Sequence, residues 1–483
     1  MPARHGTQVL QRLQEHPHEI WHQGERVKDV TTHPAFTHGL HSLAALYDMQ
    51  WERPAEMLYA SPTTGEPVGL SFLMPHTHDD VVRVRTMMRH WANYSLGMMG
   101  RTPDYLNRAM MAYAAGAEFL AQADPRFGDN ARTYYTYLRE HDLTLTHTLI
   151  NPQANRAVGP AKQADPFLAA RVKEETDAGI VIRGARMLAT LPTADELIVF
   201  PSTLLRSTEE DAPYAFAFAI PSATPGLRYI CRETVDYGRS PSDHPLGTRF
   251  EELDAVVVFD DVCVPWERIF LYRDVPRCNQ AYTATGAVVH MTHQVVTRTI
   301  AKTEFLLGLA SLLIDTIGVE QFQHIHEKVT EIWVALETLR AFLRTAEADA
   351  QLDQFGVMCP AWDPLDAARH FYPKTYPRLI EIIQQIGASG LVAVPTAADL
   401  NGPLAEDIAH YYQAARATAA ERIPLFRLAW DTALSAFGTR QVLYERFFFG
   451  DPVRMAGVVF QTKDRTALME RVRHFLAQSQ HEL

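Results

Sequence analysis

The sequence predicts an α+β fold, because its hydrophobic period changes twice and β-branched segments cluster between the two changes. Up to about His147, apolar residues recur at helical spacing. Short alternating segments then take over, and from about Asp274 long helical runs return. The limits divide the chain into a helical unit at 1–144, an antiparallel β unit at 145–273 and a helical bundle at 274–483.

In the first unit, Thr77-His-Asp-Asp80 reads as a capping box opening an amphipathic run over 81–94. Pro103, Asp104 and Tyr105 start a second run over 106–123, and a third helix is expected over 130–145. In the middle unit, 179–190, 196–200, 214–220 and 255–259 are β-branched or alternating, with Pro221, Pro225 and Gly226 as punctuation. In the last unit, 286–317, 319–352, 366–386 and 403–437 carry apolar residues at three- and four-residue spacing, the pattern of four long helices in a bundle.

The chain has 483 residues, and about 150 residues per domain makes this two or three packed units. Hydrophobic residues are 47% and charged residues 21%, the balance of a soluble globular protein. Lys and Arg number 45 against 57 Asp and Glu, a net charge of −12, which argues against nucleic acid as partner. The four cysteines (Cys231, Cys263, Cys278, Cys359) show no CxxC or zinc spacing. The first residues lack the apolar stretch of a signal peptide, and no window suggests a membrane span, so the expected location is the cytoplasm. No Rossmann glycine fingerprint, Walker loop, GxSxG elbow or HExxH appears. His290-Met-Thr-His293 has HxxH spacing but no carboxylate partner at helical spacing, so no metal is assigned.

Three polar constellations stand out. Arg101 and Tyr105 are four apart at a helix start, where a guanidinium and a phenol could stabilise a phenolate; a joining turn with Arg101 capping carbonyls would look the same. The stretch 146–156 holds His147, suited to proton transfer, and Asn151, Gln153, Asn155 and Arg156, donors suited to a heterocycle edge or a pyrophosphate; a polar loop with a satisfied histidine is the plainer alternative. Gly450-Asp451-Pro452 follows the aromatic run 447–449 and reads as a helix start whose N–H groups could hold an anion, opposed by the Asp451 charge.

Six phrases, in order, carry a resemblance over nearly the whole chain: 100–105, 146–153, 259–267, 290–294, 385–390 and 444–454. Together they resemble the oxygenase components of the 4-hydroxyphenylacetate 3-monooxygenase family. The resemblance implies an acyl-CoA dehydrogenase-like fold: helical N-domain, middle β-barrel and C-terminal four-helix bundle, assembled as a homotetramer or dimer. It implies that a separate NAD(P)H-flavin reductase supplies reduced FAD, that O2 adds to form a flavin C4a-hydroperoxide, and that a small phenol is hydroxylated beside its hydroxyl. 4-Hydroxyphenylacetate, giving 3,4-dihydroxyphenylacetate, is the expected substrate; a chlorophenol, a nitrophenol or a tyrosine-like phenol is the alternative.

The resemblance also implies roles. Arg101, Tyr105 and His147 surround the phenol hydroxyl, with His290 a rival proton acceptor. His147, Gln153, Ala154, Asn155, Arg156, Thr190, Phe449, Gly450, Asp451 and Pro452 lie at the flavin. Ser202 and Thr203 bind the far end of the substrate, and the stretch 202–212 is either a lid or a hairpin connection. Remoter readings on the same fold are an acyl-CoA dehydrogenase, for which no matching motif is present, and an iron–sulfur dehydratase. The dehydratase needs three cysteine ligands, and the first 230 residues contain none.

Overall fold

The computed structural model describes residues 3–188, 190–202, 205–206 and 209–481. The first part of the chain is built on α1 (Gly6–Glu15), α2 (Thr37–Glu52), α3 (His78–Tyr94), α4 (Pro103–Ala115) and α5 (Pro125–His141). α3 starts at the expected capping box. The Asp80 N–H donates to the Thr77 hydroxyl and the Thr77 N–H to the Asp80 carboxylate, each at 3.1 Å. The run expected over 106–123 breaks at Gly116, where Thr285 packs in the space a Cβ would need.

The helix expected over 130–145 ends four residues early. Asp142 turns left-handed at φ 47°, and its carboxylate accepts the Arg4 N–H and the Gln50 amide. The chain then runs straight into a strand, β3 (Leu145–Ile150), whose alternation Leu-Thr-His-Thr-Leu-Ile the helical reading overran.

Among the described residues, ten strands form the large sheet. Besides β3 they are β1 (Ile20–His22), β2 (Glu25–Arg26), β4 (Arg171–Thr176), β5 (Gly179–Leu188), β6 (Glu196–Val199), β7 (Phe216–Pro221), β8 (Leu227–Cys231), β9 (Ala255–Pro265) and β10 (Ile269–Tyr272). The order is β10-β7-β6-β3-β5-β9-β8-β1-β2, with β4 on β5. This corrects the expected closed antiparallel barrel: among the described residues the sheet is an open path and is mixed. β1 pairs with β8, and β3 with β6, in parallel. The two parallel pairs join strands far apart in sequence, 20–22 with 227–231 and 145–150 with 196–199, and such long connections leave the strand direction free, whereas hairpins force it antiparallel.

The C-terminal part contains α6 (Val275–Ala284), α7 (Ala287–Ile317), α8 (Gln323–Ala348), α9 (Trp362–Gly387), α10 (Ala419–Ala433), α11 (Ala436–Phe447), α12 (Pro452–Thr462) and α13 (Thr466–His481). α7, α8 and α9 pack on one another through Leu309, Leu313, Leu336, Leu339 and Ile383. The fourth long helix expected over 403–437 is three pieces: Ala405–Tyr411, α10, and the start of α11, which Ser435 caps. Three long helices flanked by shorter ones therefore replace four long ones. A second core, running from Val9 through Phe200 to Phe259, joins the N-terminal helices to the sheet. No helix among the described residues is long and apolar enough to cross a membrane.

Candidate active site

The site lies where three elements meet: the loop before α4, strand β3 and the end of α11. The loop over 97–101 is held from several sides. The Arg298 guanidinium on α7 donates to the Gly97 carbonyl at 3.0 Å, and the Gln441 amide on α11 to the Met98 carbonyl at 2.8 Å. The Gly100 and Arg101 N–H groups donate to the two Glu252 oxygens at 2.8 and 3.0 Å. Gly100 must lack a side chain, because a Cβ there would overlap the Tyr444 hydroxyl.

So placed, the buried Arg101 guanidinium lies 4.1 Å from the Phe448 ring centroid, 4.3 Å from that of Tyr105 and 5.6 Å from that of Tyr444. Aromatic faces attract the cation but fill none of its N–H groups. Among the described residues, its Nε and Nη1 are buried with no hydrogen-bond partner. Leaving such donors unmet is costly unless a ligand accepts from them.

His147, on β3, sits against Tyr105 at 6.1 Å and Phe200 at 5.6 Å between ring centroids. Burial, aided by the Arg101 charge, holds its pKa well below the usual histidine value. A neutral imidazole beside a buried cation can accept a proton but does not keep one at neutral pH. The structure thus brings Arg101, Tyr105, His147, Phe200 and Phe448 into one cluster.

The other expected site residues are arranged around this cluster. Thr190 is one hydrogen bond away, its carbonyl accepting the Thr146 hydroxyl at 2.5 Å. Gln153, Ala154, Asn155 and Arg156 form an exposed loop directly after β3, in which Gln153 donates to the Asn151 carbonyl and Asn155 accepts the Ala157 N–H. Phe449 packs on Phe448 at 4.8 Å, and Gly450 follows with φ 105°. Asp451 caps α12 by accepting the Arg454 N–H at 2.9 Å, and Pro452 is its first residue. The anion site envisaged at this helix start is therefore filled by its own carboxylate. Ser202 is two residues past Phe200, and Thr203 lies outside the described residues. Of the stretch 202–212, Leu205 is tied by the Asn279 amide to its carbonyl and Arg206 by its N–H to Asp211.

His290 is engaged elsewhere. Its Nδ1 faces the Arg108 guanidinium at 3.4 Å, and its pKa is held well below the usual value by burial, with Arg108 and His293 adding to it. His293 instead pairs with Glu347 at 2.8 Å. The HxxH spacing thus serves two separate contacts.

Beneath the aromatic wall, Glu445 bridges Arg298 and Lys302, each at 2.6 Å. Burial would raise the Glu445 carboxyl, but the two cations outweigh it and hold it at about 2, while burial brings Lys302 down to about 8. This pair of α7–α11 contacts fixes Tyr444 and Phe448, the residues on either side of Glu445 that face Arg101.

The residues present fit a reduced flavin. The exposed amides of Gln153 and Asn155 are donors suited to a polar heterocycle edge, and they follow directly on the strand that carries the neutral His147 beside the Arg101 cluster.

Models of the 4-hydroxyphenylacetate 3-hydroxylase N-terminal and C-terminal regions match residues 5–271 and 278–477. The chain belongs to the 4-hydroxyphenylacetate 3-hydroxylase family. It is 49% identical over 478 residues to the 4-hydroxyphenylacetate 3-monooxygenase oxygenase component of Geobacillus sp. (strain PA-9), covering 99% of this chain and 97% of that one. It is similar, at TM-score 0.95 and 48% identity over 99% of each chain, to the crystal structure of an oxygenase component of 4-hydroxyphenylacetate 3-monooxygenase complexed with FAD and 4-hydroxyphenylacetate. An archaeal 4-hydroxybutyryl-CoA dehydratase from N. maritimus, at 19% identity and TM-score 0.88, covers 99% of this chain and 95% of that one and shows the fold alone.

Several residues that shape this cluster were given no site role in the sequence reading. Glu252, Phe200 and Tyr444 look like ordinary segment residues in isolation. The run Glu251-Glu252-Leu253-Asp254 carried a signal: three carboxylates just before a strand that then buries. Arg186 is a second one, fully buried on β5 and donating to the Leu149 carbonyl at 2.9 Å.

Proposed function

We propose that this chain is the oxygenase component of a two-component monooxygenase, converting 4-hydroxyphenylacetate, O2 and reduced FAD into 3,4-dihydroxyphenylacetate, water and oxidised FAD. The observation that carries the reading is the Arg101 guanidinium, stacked among Tyr105, Phe448 and Tyr444 with two buried N–H groups unmet, beside a neutral His147. Reduced FAD, when bound, supplies the two electrons that activate oxygen. The ring is attacked as an electron-poor oxygen's partner, so it reacts best as a phenolate. Arg101 Nε and Nη1 stabilise the phenolate oxygen, His147 accepts or relays its proton, and Tyr105 fixes the ring's orientation. His290 is the rival candidate for base, but its Nδ1 faces Arg108 rather than the cluster around Arg101.

Toward the flavin, the reading assigns His147, 153–156, Thr190 and 449–452 to cofactor contacts, and Ser202 with Thr203 to the substrate's carboxylate end. A separate NAD(P)H-flavin reductase is the source of reduced FAD, and the chain works in the cytoplasm. We place the domain limits at 144/145 and 273/274. The last two helices expose Val453, Phe460, Leu468 and Val472, apolar area that suits burial against other copies in a homotetramer. Catechol formation from reduced FAD, oxygen and 4-hydroxyphenylacetate tests the activity; light scattering of the purified protein tests the assembly.

A further inference from the structure

Glu252 touches both halves of the site without reaching into it. It is 3% exposed and lies in the turn between the short helix Gly247–Phe250 and β9. Its two carboxylate oxygens accept the Gly100 and Arg101 N–H groups. Both oxygens accept from the backbone, which leaves the Arg101 Nε and Nη1 groups without a partner among the described residues. The main chain of the same residue holds the other half: the Leu191 N–H, next to Thr190, donates to the Glu252 carbonyl at 2.9 Å.

The turn that carries Glu252 is itself anchored on both sides. Glu251 binds Arg232 at 2.7 Å and accepts the Val235 N–H. Asp254 binds Arg440 on α11 at 2.7 Å, and Arg440 lies 5.3 Å from the Tyr444 ring that faces Arg101. Leu191 and Leu253 both adopt left-handed backbone, at φ 55° and 50°. Bulky residues hold that conformation only where their surroundings over-determine it, and such positions gather at functional sites. A carboxylate with two backbone N–H donors is a strong, directional clamp.

We propose that Glu252 is a positioning residue that fixes the register between the Arg101 loop and the Thr190 loop. The inference rests on the reading above, in which Arg101 faces the phenol and Thr190 the flavin. The side chain sets where the Arg101 guanidinium sits, while the carbonyl, which a side-chain substitution leaves in place, sets the Thr190 turn. Changing the side chain therefore loosens the phenol end and spares the flavin end.

The test is Glu252→Gln, alone and combined with Arg101→Ala, using the full chain. Dissociation constants are measured anaerobically for reduced FAD, and for 4-hydroxyphenylacetate in the presence of reduced FAD, together with thermal midpoints and the share of oxygen that ends as hydrogen peroxide. An amide presents one acceptor where the carboxylate presented two, so phenol binding weakens by about tenfold, the loss of one charge-assisted hydrogen bond. Reduced FAD binds as before, and the peroxide share rises. Because Glu252 acts through Arg101, the double variant binds phenol no more weakly than Arg101→Ala alone. Unchanged phenol affinity in Glu252→Gln, or losses that add in the double variant, overturns the inference. If Glu252→Gln does not fold, Glu252→Asp, which keeps the charge but shortens the reach, is expected to weaken phenol binding in the same direction, and unchanged affinity there overturns it equally. Wild-type protein that binds no 4-hydroxyphenylacetate removes the functional reading itself, whereas wild-type binding with an unaffected variant sinks only the role of Glu252.

Discussion

The Arg101 guanidinium is 4.1 Å from the ring centroid of Phe448, a residue delivered by the last turn of α11 from the opposite end of the chain. A cation held by aromatic faces stays charged, dry and short of acceptors. The charge is thus ready for an anionic oxygen, and its position depends on how the C-terminal helices pack against the loop before α4.

Arg101→Ala is expected to lower hydroxylation of 4-hydroxyphenylacetate by about 100-fold or more, the usual effect of removing one donor from a developing anion. Reduced-FAD binding should change far less. Rapid-quench turnover and anaerobic titration separate the two; equal losses in both would end the assignment of Arg101 to the phenolate.

Thr190→Ala is expected to raise the share of oxygen released as hydrogen peroxide, with phenol affinity nearly unchanged. The residue lies in the turn next to Leu191, and its carbonyl, which the variant keeps, holds Thr146. A peroxide assay against oxygen uptake reads the outcome, and an unchanged ratio would remove Thr190 from the flavin side.

Gly100→Ala would force Tyr444 away from the loop. Overpacking of this kind costs about 1–3 kcal/mol, read as a lower denaturation midpoint. Phenol affinity should fall with it, because Tyr444 is one of the rings around Arg101; a stable variant of normal affinity would show that Tyr444 relaxes freely.

His147 gives the fold a pH dependence of predictable sign. Its folded pKa lies well below the unfolded value of 6.5. As pH falls through about 6.5 the unfolded chain takes up the proton first, so stability is full above that value and declines below it, by at most about 1.4 kcal/mol per pH unit for this group. His290 acts in the same direction. In His147→Gln the decline between pH 7 and pH 5 should be shallower than in wild type; denaturant midpoints at each pH decide it.

Glu445→Gln leaves Arg298 and Lys302 buried without the carboxylate that both of them pair with. Breaking a buried pair in this way costs about 3–5 kcal/mol. The carboxyl is depressed to about 2, so in wild type this stability is present above the unfolded value of 4.5 and lost as pH falls toward 2. Urea midpoints of the two proteins at pH 7 should differ accordingly.

The order of helices, strands and helices was legible because hydrophobic period is a local property. The capping box at Thr77 and the long helix α7 were legible for the same reason. β3 was not: its six residues follow a helix after only three others, and alternation that short is lost in a helical window. Barrel closure failed because strand partners are chosen by long connections, which leave no local trace. At the site, Arg101, Tyr105 and His147 could be named from their phrases, and the fold does bring them together. Glu252 and Tyr444 could not, since each matters only through a backbone N–H or a missing Cβ far away in sequence. His290 and His293 share HxxH spacing but were not assigned as a metal pair, and tertiary packing gives the two rings different partners.

The measurement that tests the account most directly is a single turnover. Purified protein is loaded anaerobically with reduced FAD, mixed with oxygenated buffer containing 4-hydroxyphenylacetate, and quenched for product analysis. Nearly one 3,4-dihydroxyphenylacetate per reduced FAD, falling to almost none in Arg101→Ala, is the predicted result. Oxidation of the flavin with only hydrogen peroxide and unchanged 4-hydroxyphenylacetate would contradict the proposed activity.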